Sequence, residues 1–61
     1  MYDGDYVEER PEGFGKAIYE SGEYYIGQWK NGLRNGRGTI YFSNGIIMYD
    51  GFFINDVFVG N

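Results

Sequence analysis

Neither cysteine nor histidine occurs in the 61 residues. The first absence rules out a disulfide framework and any thiolate metal site, and the second removes the commonest general base and metal ligand. Basic residues are scarce: five stand against nine acidic ones, a net charge of −4. That balance repels polyphosphate backbones and anionic surfaces, so nucleic acid is not an expected partner. No apolar run approaches the roughly 18 residues of a membrane-spanning helix, and the start Met1-Tyr2-Asp3-Gly4-Asp5 lacks the basic and apolar regions of a signal peptide. A soluble chain working in the cytoplasm is expected. Helical periodicity is missing throughout. A chain this short buries only roughly 60% of the surface its unfolded form exposes, so a partner or further repeats are expected to supplement its core.

Glycine, by contrast, is plentiful, with eleven residues. Tyr2-x-Gly4-x-Tyr6 recurs as Tyr25-x-Gly27-x-Trp29 and as Tyr49-x-Gly51-x-Phe53. Each first glycine is followed nine residues later by another: Gly13, Gly36 and Gly60. Gly15 and Gly38 complete a Gly-x-Gly pair in the first two copies. A repeat of about two dozen residues is one supersecondary unit stacked on its neighbours. The units read as residues 2–24, 25–48 and 49–61, the last truncated, within a single domain over 1–61.

Asn31-Gly32 marks a two-residue type I′ hairpin turn, because both central positions need positive φ. Counting outward without interruption pairs Trp29 with Arg34, Gly27 with Gly36 and Tyr25 with Gly38. The same count about Glu8-Glu9 sets Gly4 against Gly13 and Tyr2 against Gly15. About Asn55-Asp56 it sets Gly51 against Gly60 and Phe53 against Phe58. Glycines recurring opposite aromatics imply slots in which rings lie flat over the backbone. Glu20-Ser21-Gly22 and Ser43-Asn44-Gly45 suit three-residue connections ending in a left-handed glycine.

The expected fold is all-β: a single-layered antiparallel meander of hairpins with about six strands, near 2–7, 12–19, 23–30, 33–42, 46–54 and 57–60. Tyr2 to Tyr25 is 23 residues, whereas Tyr25 to Tyr49 is 24. A one-residue slip would turn Tyr49, Gly51 and Phe53 to the wrong face, so a β-bulge is expected within Ile46-Ile47-Met48.

The run from Tyr25 to Gly45, with Tyr25, Gly27, Trp29, Gly32, Gly36 and Gly38 in place, resembles a MORN repeat, whose pattern is Y-x-G-x-W-x-x-G-x-x-x-G-x-G. The resemblance covers essentially the whole chain. Departures are Glu8-Glu9 at the first turn, Pro11 in a strand and Asp56 where the family has glycine. What the resemblance implies is an elongated solenoid of hairpins used as a non-catalytic contact module or scaffold, as a small subunit or fragment of a larger assembly. Its alternative use is as a lipid-contacting or regulatory module of a membrane-associated enzyme.

One face collects Tyr2, Tyr6, Ala17, Tyr19, Tyr25, Trp29, Ile40, Phe42, Tyr49 and Phe53, and is expected to form the core. The opposite face is more apolar than a solvated face requires. Phe14, Ile18, Tyr24, Ile26, Tyr41, Phe52 and Ile54 are the expected contacts to a protein partner or a second copy. The apolar end strand Val57-Phe58-Val59 invites pairing at an open edge.

No cofactor or metal is expected. Gly13-Phe14-Gly15-Lys16 lacks the ending and the strand-to-helix setting of a phosphate loop. Asp3, Asp5, Glu8 and Glu9 lack calcium-loop spacing, and Glu20 with Glu23 flank a surface turn rather than a catalytic cleft. Lys30, Arg34 and Arg37 around the central hairpin carry the case for a membrane-lipid headgroup.

Overall fold

Six antiparallel strands pair in chain order into one open sheet: β1 (Tyr2–Val7), β2 (Arg10–Ile18), β3 (Tyr24–Lys30), β4 (Leu33–Tyr41), β5 (Ile47–Ile54) and β6 (Val57–Gly60). The structure, a computed structural model, describes residues 1–60, and no helix occurs among them. Its extents of 32 × 24 × 14 Å are those of a single layer.

All three hairpin tips have positive φ at their central residues: 53° and 64° at Glu8 and Glu9, 54° and 82° at Asn31 and Gly32, 47° and 73° at Asn55 and Asp56. These are type I′ turns, which match the right-handed strand twist. Both longer connections close as expected, with Gly22 N–H donating to the Tyr19 carbonyl and Gly45 N–H to the Phe42 carbonyl, each at 2.9 Å. Gly22 and Gly45 are left-handed, at 94° and 91°.

The register corrects the uninterrupted count from the turns. Trp29 does face Arg34, but Gly27 then faces Gly38, not Gly36, and Tyr25 faces Ile40. Likewise Gly4 faces Gly15 and Tyr2 faces Ala17, whereas Phe52, not Gly51, faces Gly60. A bulge between the turn and the glycine pair accounts for the shift. Gly13 and Gly36 sit in it at φ 84° and 105°, a conformation that glycine adopts without a Cβ penalty. In the first two hairpins the slip is two residues, so every side chain keeps its expected face.

The consequence is one continuous row of glycines across five strands: Gly4, Gly15, Gly27, Gly38 and Gly51. Close approach explains it. A Cβ on Gly27 would collide with the backbone of Gly38, and one on Gly38 would overlap the Tyr25 ring. The Tyr25 ring lies over both glycines, and its hydroxyl donates to the Gln28 carbonyl at 2.8 Å. Tyr2 repeats this over Gly4 and Gly15, donating to the Asp5 carbonyl at 2.8 Å.

Rings then line up edge to face along the glycine row. Tyr2 meets Trp29, Trp29 meets Tyr25, and Tyr25 meets Phe53, each with centroids 5.1 Å apart and planes 84° to 87° apart. Such pairs contribute about 0.5–1.5 kcal/mol each beyond area burial. Trp29 also donates its Nε1–H to the Gly15 carbonyl at 3.1 Å, satisfying a buried polar group. Tyr25 and Phe53 are 0% and 1% exposed, and with Ala17, Trp29 and Ile40 they form the core.

The expected bulge before the third copy is present. Ile40 faces Tyr49 while Tyr41 faces Ile47, leaving Met48 without a partner, and Met48 packs against the core. The members of the expected core face at its margins, Tyr6, Tyr19, Phe42 and Tyr49, are exposed.

Neighbouring copies are also joined at the hairpin tips. Gly32 N–H donates to the Pro11 carbonyl and Asp56 N–H to the Arg34 carbonyl, both at 2.9 Å. Asp56 accepts the Arg34 backbone N–H at 2.8 Å and its Nε–H at 3.1 Å, and Arg34 Nη2 donates to the Asp56 carbonyl at 3.0 Å. Those bonds offset the left-handed strain at an aspartate in a position suited to glycine. The same guanidinium lies 5.6 Å from the Phe53 ring centre and 6.0 Å from that of Tyr25.

Candidate interaction surfaces

Alternation sends Phe14, Lys16 and Ile18 on β2, Tyr24, Ile26 and Gln28 on β3, and Arg37, Thr39 and Tyr41 on β4 to the face opposite the glycine-lined core. There they fall into cross-strand rows. One row is apolar: Ile18, Tyr24, Tyr41 and Ile47. Tyr24 and Tyr41 stack with centroids 4.8 Å apart and planes 18° apart. The next row is mixed, running Asp3, Lys16, Ile26, Thr39 and Asp50.

The seven expected partner residues therefore share a face without forming one apolar patch. Ile18, Tyr24 and Tyr41 come together, with Ile26 one row away. Phe14 faces Gln28, and Phe52 faces Arg37. Ile54 lies further along the strand, opposite Val57. Phe14, Ile54, Phe52 and Ile18 are 56%, 55%, 46% and 40% exposed, whereas Tyr24, Ile26 and Tyr41 are half-buried.

Two cations on this face escape a reading based on apolar residues. Lys16 Nζ stands 4.9 Å from the Tyr24 ring centre, and the Arg37 guanidinium 5.6 Å from that of Phe52. Arg37 also reaches Asp50 at 3.4 Å, and Thr39 donates to the same carboxylate oxygen at 3.0 Å. Their pairing across strands was the only available signal. It depends on the register.

The basic trio does not converge. Arg34 belongs to the core face and is engaged by Asp56, Arg37 belongs to the opposite face and is engaged by Asp50, and Lys30 is exposed beside the central turn. The Gly13-Phe14-Gly15-Lys16 segment runs within β2, with no helix after it. Among the described residues there is no pocket and no group of three or more acidic side chains arranged to hold a metal ion.

Desolvation raises the pKa of three core-face tyrosines, holding them neutral. Tyr25 is pushed up to about 12, and Tyr2 and Tyr19 also rise. For Tyr25, which is fully buried, the shift reflects the seal over its ring.

The family model of the MORN repeat matches residues 2–24 and 25–47. No curated protein matches the chain. Repeats of this family generally serve as modules that contact proteins or membrane lipids, and they are typically non-catalytic. With two matches spanning more than half of its length, and with hairpins stacked in one open sheet, the chain belongs to the MORN-repeat family.

Proposed function

We propose that the chain is a non-catalytic protein-interaction module, a small subunit or part of a larger repeat scaffold in the cytoplasm. The contact surface is the face opposite the glycine row. One contrast carries this reading: the central core-face rings Tyr25, Trp29 and Phe53 seal one another, whereas Phe14, Ile18, Phe52 and Ile54 remain exposed in a layer too thin to cover them. A single layer has no second layer over either face, and the glycine slots serve only one of them. The separation of Lys30, Arg34 and Arg37 weighs against the alternative of lipid contact.

The test compares proteins retained by the chain with those retained by a Phe14→Ser/Ile54→Ser double variant, alongside cosedimentation with anionic liposomes. Loss of a defined partner from the variant supports the proposal. Unchanged retention overturns this choice of face. Salt-sensitive liposome binding that requires Lys30, Arg34 and Arg37 favours lipid contact instead.

A further inference from the structure

We propose that Asn31 is a site of spontaneous deamidation, and that the contacts between the first and second hairpin tips set its rate. The product carries an aspartyl or isoaspartyl link in the central turn. This inference stands apart from the protein-interaction reading.

Three asparagines precede a glycine: Asn31-Gly32, Asn35-Gly36 and Asn44-Gly45. A glycine in that place leaves its backbone nitrogen free to approach the asparagine Cγ, because no side chain crowds it. In the reaction the Gly32 nitrogen gives its proton to solvent hydroxide and bonds to Asn31 Cγ, the Cγ–Nδ2 bond breaks, and Nδ2 leaves as ammonia. Water then opens the cyclic imide at either carbonyl. The balance is water consumed and ammonia released.

The structure separates the three pairs. Asn44 is held within its own connection: its Oδ1 accepts the Ile46 N–H at 3.1 Å, and Gly45 N–H donates to the Phe42 carbonyl at 2.9 Å. Asn35 lies half-buried inside β4, and its Nδ2 donates to Asn55 Oδ1 at 3.3 Å. Asn31 is exposed at the tip, and no hydrogen bond holds its side-chain amide among the described residues. What restrains it comes from the neighbouring copy. Gly32 N–H donates to the Pro11 carbonyl at 2.9 Å, and Asn31 N–H to Glu12 Oε1 at 3.0 Å. While those bonds last, the Gly32 nitrogen is engaged and both turn residues stay left-handed. When the tips part by local opening, that nitrogen can attack.

The tips at Asn31 are closed without an ion pair among the described residues. Between the second and third copies Arg34 stands where Pro11 does and Asp56 where Gly32 does, and there guanidinium and carboxylate join in addition to the backbone bond. Reaction weakens the same junction that gates it. It puts a carboxylate on the residue whose N–H Glu12 accepts, and an isoaspartyl link lengthens the backbone of a turn whose dihedrals are closely set. The change is irreversible.

The test incubates the 61-residue chain at neutral and mildly alkaline pH, with tandem mass spectrometry separating aspartyl from isoaspartyl products at each asparagine. A peptide of residues 28–34 gives the rate without the fold. Expected is reaction at Asn31 ahead of Asn35 and Asn44, and slower in the chain than in the peptide. Glu12→Ala removes one bond from the neighbouring tip, and should speed Asn31 about two- to tenfold, the worth of one ordinary hydrogen bond, with Asn44 unchanged. Equal acceleration at Asn44 would mean general unfolding and would overturn the gating, as would a chain rate equal to that of the peptide. Reaction led by Asn35 or Asn44, or none at Asn31 once the peptide has reacted fully, would overturn the site. Asn31→Asp should raise amide hydrogen exchange at Gly32. Unchanged exchange there would overturn the effect on the junction.

Discussion

The two faces of this sheet carry comparable numbers of large apolar side chains, yet only one seals rings at its centre. On the core face Tyr25 and Phe53 are sealed; on the other, Phe14 and Phe52 stand about half exposed. The difference lies in what is beneath the rings. The glycine row lets Tyr2 and Tyr25 lie flat over the backbone, where Trp29 and Phe53 meet their edges. On the opposite face Lys16, Gln28, Thr39 and Arg37 separate the apolar residues, and rings stand without a slot to enter. A single sheet thus makes a core from one face by removing side chains rather than adding them.

Truncating the central ring attacks that contrast hardest. Trp29→Ala should cost about 3–5 kcal/mol, enough to unfold much of a domain this small, as read by urea denaturation. An unchanged midpoint would remove Trp29 from the core. Alkaline pH probes the same seal. The folded state holds the Tyr25 proton up to about pH 12, whereas an open chain releases it near 10. The resulting stabilisation is complete below pH 10 and is lost as pH rises towards 12, by about 2–3 kcal/mol. Stability that stays level across that window would mean that water reaches the hydroxyl.

Gly38→Ala should destabilise by about 1–3 kcal/mol, because the new methyl displaces the Tyr25 ring from its slot. The smallest change is expected on the other face, where Phe14→Ser should alter stability by no more than about 0.5 kcal/mol. A loss as large as that of Gly38→Ala would show that the exposed face contributes to the core after all.

Much of the architecture was legible in particular residues. Asn31-Gly32 marked its turn, Gly22 and Gly45 their connections, and the 24-residue interval between Tyr25 and Tyr49 its bulge, because each reflects a local φ requirement or a count. Glycine pairing was not legible. Gly36 and Gly38 both satisfy a pattern that places glycine opposite Gly27, and a two-residue slip leaves side-chain alternation unchanged. Met48 packs against the core only because its bulge turns it there. The sequence placed the seven residues proposed as contacts all on one face, but alternation along a strand says nothing about which strand's neighbour lies beside which. The grouping of Ile18 with Tyr24 and Tyr41, and the cations over Tyr24 and Phe52, follow from the register.

The sequence by itself determined the repeat, the turn positions and the face of most strand side chains, since these depend on backbone dihedrals and on a period of two. Only the tertiary structure decided which glycines meet and how Arg34 and Asp56 lock adjacent copies. Those are matters of register and of contact between distant residues, set by how rings fit over backbone once the hairpins lie side by side.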